Sequence, residues 1–258
     1  MKQILIACAM LEDEINKIYE ETGCTIPVVW VERGYHNTPE KLKEKLQSLI
    51  EEHQDVDEIL LSFGLCGNGA NGIVSPGTVL VLPKFDDCIN MLLCRGKRQS
   101  RGLAKAGSIY LTRGWTLDSE SILKQYEKYV EEYGEESAEA ILEMMYEHYE
   151  KITVIDTACY DTATVLAYAR KAANMLDLTP ETTEGSTEIL RQLLTGRWEE
   201  NFIVLKPGQP VKAADFEWEA DSNYRHHTLE ERAEEFNGKI GPYNKFDWGE
   251  PVGRIIKH

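Results

Sequence analysis

Residues 2–9 (KQILIACA) form a continuous apolar run of strand length, and Leu11, Ile15, Ile18 and Tyr19 then recur on one helical face. The chain therefore opens on a strand followed by a helix. Residues 27–31 (PVVWV) predict a second strand; Thr38-Pro39-Glu40 supplies an N-cap and a proline at the first helical position, and Leu42, Leu46, Leu49 and Ile50 make that helix's buried stripe. Residues 58–63 (EILLSF) predict a third strand, ending in the glycine-rich turn Gly64-Leu65-Cys66-Gly67-Asn68-Gly69. Residues 77–82 (GTVLVL) predict a fourth, closed by Pro83 and followed by Asp86-Asp87-Cys88 and an apolar helical start at 89–93.

Beyond these, residues 108–112 predict a strand leading to Gly114-Trp115, and the charged stretch 117–151 reads as helical with Gly134 as a break. Residues 152–156 (ITVID) and 202–205 (FIVL) are expected to complete the sheet. Helices over 162–176 and 187–194 lie between them. Apolar strands separated by helices imply strands buried on both faces, hence an α/β fold: one doubly wound, mainly parallel sheet with helices on both faces. The strand pattern ends near residue 212, so residues 1–212 are expected to form one domain and 213–258 an extension. That extension is charged and carries Trp218, Tyr224, Phe236, Tyr243, Phe246 and Trp248, too many aromatics for a disordered tail. Docking on its own subunit or on a symmetry mate is expected, and a homodimer is the preferred assembly.

Charge narrows the function. The formal net charge of -16, from 44 acidic against 28 basic residues, would repel a phosphate backbone, so nucleic acid is not an expected partner. No apolar stretch is long enough to cross a bilayer and no secretory segment precedes the first strand, which predicts a cytoplasmic protein without membrane contact. Six cysteines in a large acidic chain of this kind argue for free thiols or ligands rather than a disulfide framework.

In an open parallel sheet, loops and helix N-termini converge beyond the carboxyl ends of the strands, and ligands bind there. Four thiols have that address: Cys8 ends the first strand, Cys66 and Cys88 follow the third and fourth, and Cys159 lies three residues past Asp156. Cys24 and Cys94 fall elsewhere. Neighbouring thiolates suit zinc or an iron-sulfur cluster, and helix N-termini would lower their pKa toward the metal-binding form. Cys8, Cys66, Cys88 and Cys159 are thus the expected metal ligands, with a reactive thiol and plain core packing as alternatives. Gly64, Gly67, Asn68 and Gly69 have the freedom to bring backbone close to a cofactor, and Trp115 joins that set. Carboxylates nearby, Glu14 and Asp87, could serve as ligands or carry protons for a catalytic Cys66. Without a P-loop lysine, a zinc-enzyme histidine spacing or a nucleophile elbow, nucleotide hydrolysis and serine chemistry are not expected.

Several pieces together resemble the family known as domain of unknown function 1638, found in methanogens and other strict anaerobes. They are ACAMLEDE around Cys8 and Glu14, HNTPEKL at 36–42, GLCGN at 64–68, DDCI at 86–89, YLTRGW ending at Trp115, YGEESAE at 133–139, VIDTACYD ending at Asp161, and the closing TGRWEE to FIVLKPG. The resemblance spans about residues 3–212 and implies that Cys8, Cys66 and Cys88 belong to the family's own motif. Arg113 stands where proline is usual, and Cys159 where glycine is commoner. The family also implies a setting in corrinoid-dependent methyl transfer, with a corrinoid methyltransferase system as a possible partner. Three functions remain open at this level. One is a metal- or cofactor-binding protein accessory to that metabolism; another is a small-molecule transferase with Cys66 as acceptor or nucleophile; the third is a non-catalytic interaction or chaperone-like partner of a methyltransferase.

Overall fold

The computed structural model describes residues 1–95 and 103–217. Two sheets are present where one was expected. The first runs in the order β2-β1-β3-β4-β8, with β1 (Gln3–Cys8), β2 (Val28–Val31), β3 (Glu58–Leu61) and β4 (Val79–Pro83) parallel and β8 (Phe202–Leu205) antiparallel at the edge. The second is a parallel sheet of β5 (Ser108–Leu111), β6 (Lys151–Asp156) and β7 (Thr179–Glu184), in that order. Each has its own core. Leu5, Ile6, Ile59, Leu60, Val81 and Leu82 anchor one, while Leu111, Ile152, Val154, Val165 and Ala169 anchor the other. Trp115 packs against both.

The strand β7 is absent from the pattern reading because its sequence, TPETTE, is polar throughout. It pairs with β6 over its whole length and forms the outer edge of the second sheet, where proline and charged residues are tolerated and only one side is covered. The other elements follow their sequence signals closely. Helix α1 (Glu12–Thr22) buries Ile15 and Ile18, and α2 (Pro39–Glu52) buries Leu42, Leu46, Leu49 and Ile50. Gly134, at φ 83°, separates α5 (Ile122–Tyr133) from α6 (Glu135–Tyr146). The remaining helices are α3 (Cys88–Leu93), α4 (Arg113–Leu117), α7 (Thr162–Leu176) and α8 (Glu188–Leu194).

Just past residue 212, Ala213–Phe216 forms a short 3-10 turn, and Phe216 is fully buried in the first core. The aromatic extension from Trp218 onward, and the dimer expected from it, lie outside the described residues. No helix among the described residues is long and apolar enough to cross a membrane.

From β1 the chain crosses to β2 on one side and then to β3 on the other. The direction of winding reverses between β1 and β3, which leaves a crevice beyond their carboxyl ends. That is where Cys8 and the loop bearing Cys66 meet.

Candidate functional site

Cys8 is the last residue of β1, nearly buried, and its backbone N–H donates to Ser62 Oγ at 2.9 Å. Ser62 continues β3, with its own N–H on the carbonyl of Ile6 at 3.1 Å. The next turn is fastened to the loop after β4: Leu65 N–H donates to the carbonyl of Phe85 at 2.9 Å, and Cys66 N–H to that of Asp86 at 2.8 Å. Only glycine permits this approach at position 64, because a Cβ there would lie 2.4 Å from the carbonyl oxygen of Phe85. The closely joined loops carry Cys66 and Cys88 to the same place.

Cys8, Cys66 and Cys88 line one cavity of about 30 Å³, together with Met10, Glu32, Ser62 and the aromatic rings of Tyr35 and Trp115. The volume would admit a metal ion or one or two waters. Burial pushes the Cys8 thiol up to about 11; Arg33 pulls it down and Asp118 pushes it up. Burial likewise pushes Cys66 up to about 12 and Cys88 well above the ordinary thiol range, with the neighbouring thiols and Asp87 adding to both shifts. The three side chains are therefore close enough to feel one another's charge. The lowering expected from helix N-termini is overridden, since desolvation of a thiolate in an apolar cavity outweighs a partial helix charge.

The remaining expected site residues divide between packing and a second cluster. Asp87 caps α3, accepting from Asn90 N–H at 2.7 Å and from Asn90 Nδ2 at 3.0 Å, so its carboxylate is engaged as a helix cap. Gly67 and Gly69 face α2: Cβ atoms there would lie 3.2 Å from Pro39 and 2.8 Å from Leu42. Their role is close packing of the turn. Cys66, Gly67 and Asn68 are all left-handed, at φ 47°, 63° and 75°.

Glu14 and Cys159 do not line the thiol cavity. Glu14 is buried in α1 and accepts from Thr157 Oγ1 at 2.8 Å, while Cys159 Sγ donates to the carbonyl of Thr157 at 3.3 Å. Burial pushes Glu14 up to about 7 and Cys159 up to about 11; the Glu14 charge also contributes to the raised Cys159 and Tyr160. Cys159 thus belongs with Glu14 and Tyr160, beyond the end of β6, rather than with the three thiols. Among the described residues, no group of three or more His, Cys, Asp or Glu side chains stands in an arrangement that could hold a metal ion.

Two residues at this edge escape the sequence reading, Glu32 and Tyr35. They follow β2 as Cys66 follows β3, so the strand-end rule could have found them; attention to thiols alone passes over a carboxylate.

Neither the curated proteins nor the solved structures contain a match to this chain. Residues 30–194 match the family described as "Protein of unknown function (DUF1638)", a range that includes Cys66, Cys88 and Trp115 and begins after Cys8 and Glu14. With most of its length inside that match, the chain belongs to the DUF1638 family.

Proposed function

We propose that Cys8, Cys66 and Cys88 bind a thiophilic metal, zinc or iron, and that the protein serves corrinoid-dependent methyl transfer in the cytoplasm of an anaerobe. The supporting observation is the convergence of three thiols, from three separate strand ends, on one small apolar cavity. Thiols pushed to 11 and above are neutral at physiological pH, and a divalent cation supplies the charge that ionises them. Drawing the three sulfurs onto an ion requires side-chain rotation within the cavity. A cavity of about 30 Å³ cannot enclose a corrinoid, so that group would belong to a partner protein.

The transferase reading converges on the same requirement. A Cys66 thiol near 12 is a poor bare nucleophile, whereas a metal-bound thiolate forms at neutral pH. Elemental analysis of anaerobically purified protein tests the proposal. Near-stoichiometric zinc or iron is expected, falling sharply in C8S, C66S and C88S. A fully folded protein without metal, unable to take up added zinc or ferrous iron, would overturn it.

A further inference from the structure

The helices α5 and α6 form a hairpin that buries only Ile122, Ala138 and Leu142. Its outward surface is not the wholly charged one of a solvated helix pair. The rings of Tyr129 and Tyr133 lie with centroids 6.3 Å apart, Tyr129 Oη donates to Met145 Sδ at 3.9 Å, and the rings of Tyr146 and Tyr149 are 5.8 Å apart. Burial pushes the Tyr146 phenol up to about 12, with Tyr168, Tyr149 and Tyr129 adding to the rise, so the two ring pairs are close enough to act on one another. Tyr133, Met145 and Tyr149 are 56%, 47% and 40% exposed, which leaves the patch open among the described residues.

The rim of this patch is acidic. Residues 122–150 hold nine glutamates against two lysines. These carboxylates stand close to the rings: Glu132 raises the Tyr133 phenol, with Lys128 opposing it, and burial together with Glu135 and Glu139 raises that of Tyr126. Tyrosine and methionine are enriched at the centres of protein interfaces, tyrosine as a rigid anchor and methionine as an adaptable filler, while charge belongs at the rim. The sign of that rim selects the occupant. A second copy would set glutamates against glutamates, and an anionic lipid surface or a nucleic acid would meet the same repulsion. A helix with apolar residues on one face and Lys or Arg on its flanks satisfies both the rings and the carboxylates.

We propose that the outer face of the α5–α6 hairpin is the docking site for a basic amphipathic helix of another protein. The partner's apolar residues would lie on Tyr129, Tyr133, Met145 and Tyr149, and its cations on the surrounding glutamates. None of these residues lines the thiol cavity, so the docking site stands or falls independently of bound metal.

A fluorescent peptide of leucine and lysine at helical spacing, about five turns long, is the probe, titrated into the full chain and read by anisotropy. The wild type should bind it, and affinity should fall by about tenfold or more between low and high salt. The variants Y133E and M145E add negative charge while deleting an apolar contact. Docking on the patch predicts that each weakens binding by about tenfold or more, with the circular dichroism of the wild type retained. Binding that survives or strengthens in both variants would be attraction to net charge alone and would overturn the proposal, as would a wild type that does not bind. Photo-crosslinking in the full chain from Tyr133→p-benzoylphenylalanine identifies the occupant. Capture of the peptide supports the proposal; crosslinks to a second copy, or to this chain's own residues past 217, in its presence would give the face to another occupant and overturn it.

Discussion

Thr157 Oγ1 donates to Glu14 Oε1 at 2.8 Å in a buried hydrogen bond that joins helix α1, on the first sheet, to the end of β6 in the second. Burial raises Glu14 from the usual carboxylic range to about 7, so the native protein holds a proton here that the unfolded chain gives up near pH 4.5. Stability from this group is complete below pH 4.5 and is lost as pH rises toward and past 7, because the unfolded state then binds fewer protons than the native one. E14Q keeps an acceptor for Thr157 and cannot ionise. It is expected to flatten the decline between pH 4.5 and 8 and to exceed the wild type at pH 8 by on the order of 1–3 kcal/mol. Urea unfolding at several pH values checks this; a wild-type slope in E14Q would assign the titration elsewhere.

Two glycines fasten the loops around the site. A Cβ on Gly64 would meet the carbonyl oxygen of Phe85 at 2.4 Å, and one on Gly114 would meet that of Met10 at 2.2 Å. Both obstacles are backbone and cannot rotate away. G64A and G114A should each lose about 2–4 kcal/mol in chemical denaturation. G64A should also lose metal, since it separates the loops carrying Cys66 and Cys88.

Cys66 is left-handed at φ 47°, a conformation that costs a residue with a side chain roughly 1–2 kcal/mol. C66G relieves that strain while deleting a thiol. Thermal melting should show a stability within about 1 kcal/mol of the metal-free wild type, alongside loss of metal binding. A drop beyond 2 kcal/mol would mean that the thiol serves chiefly to fill the core. In the metal-free wild type, iodoacetamide should modify Cys66 slowly at pH 7, and faster with each step up in pH through 10, because its pKa lies near 12.

Truncation separates the extension from the domain. Ending the chain at 213 removes Phe216, which is 1% exposed, and should cost about 3–5 kcal/mol. Ending it at 218 retains that anchor, and the melting temperature should stay close to that of the full chain. Light scattering on the two lengths then tests the expected homodimer. A 1–218 protein with the subunit number of the full chain would remove the extension from the interface.

The first sheet was readable because its strands are apolar runs bounded by turn residues, as in residues 58–63 ahead of Gly64. The division into two sheets was not, since apolar alternation records burial and not which neighbour a strand chooses; Ile109 and Ile152 read alike in either arrangement. TPETTE hid a strand because an edge needs no second apolar face. At the site, the strand-end rule brings Cys8, Cys66 and Cys88 to one cavity. It places Cys159 in the same way but on a different sheet. The raised thiols had no sequence signal, because desolvation depends on Phe63, Met10 and Trp115 closing in from distant segments.

The first turn of α1 carries Glu12, Asp13 and Glu14, and each carboxylate reaches a different place: Arg33 at 2.7 Å, Arg113 at 2.8 and 2.6 Å, and Thr157 at 2.8 Å. Those partners lie 21, 100 and 143 residues along the chain. Closing such long loops is slow, and contact order of this kind delays folding. The order of synthesis matters as well, because Cys8, Cys66 and Cys88 emerge well before Thr157 can secure the turn behind them. A nascent chain would thus present three unsecured thiols before the second sheet exists, and a metal captured in that interval would act as a folding nucleus rather than a late addition.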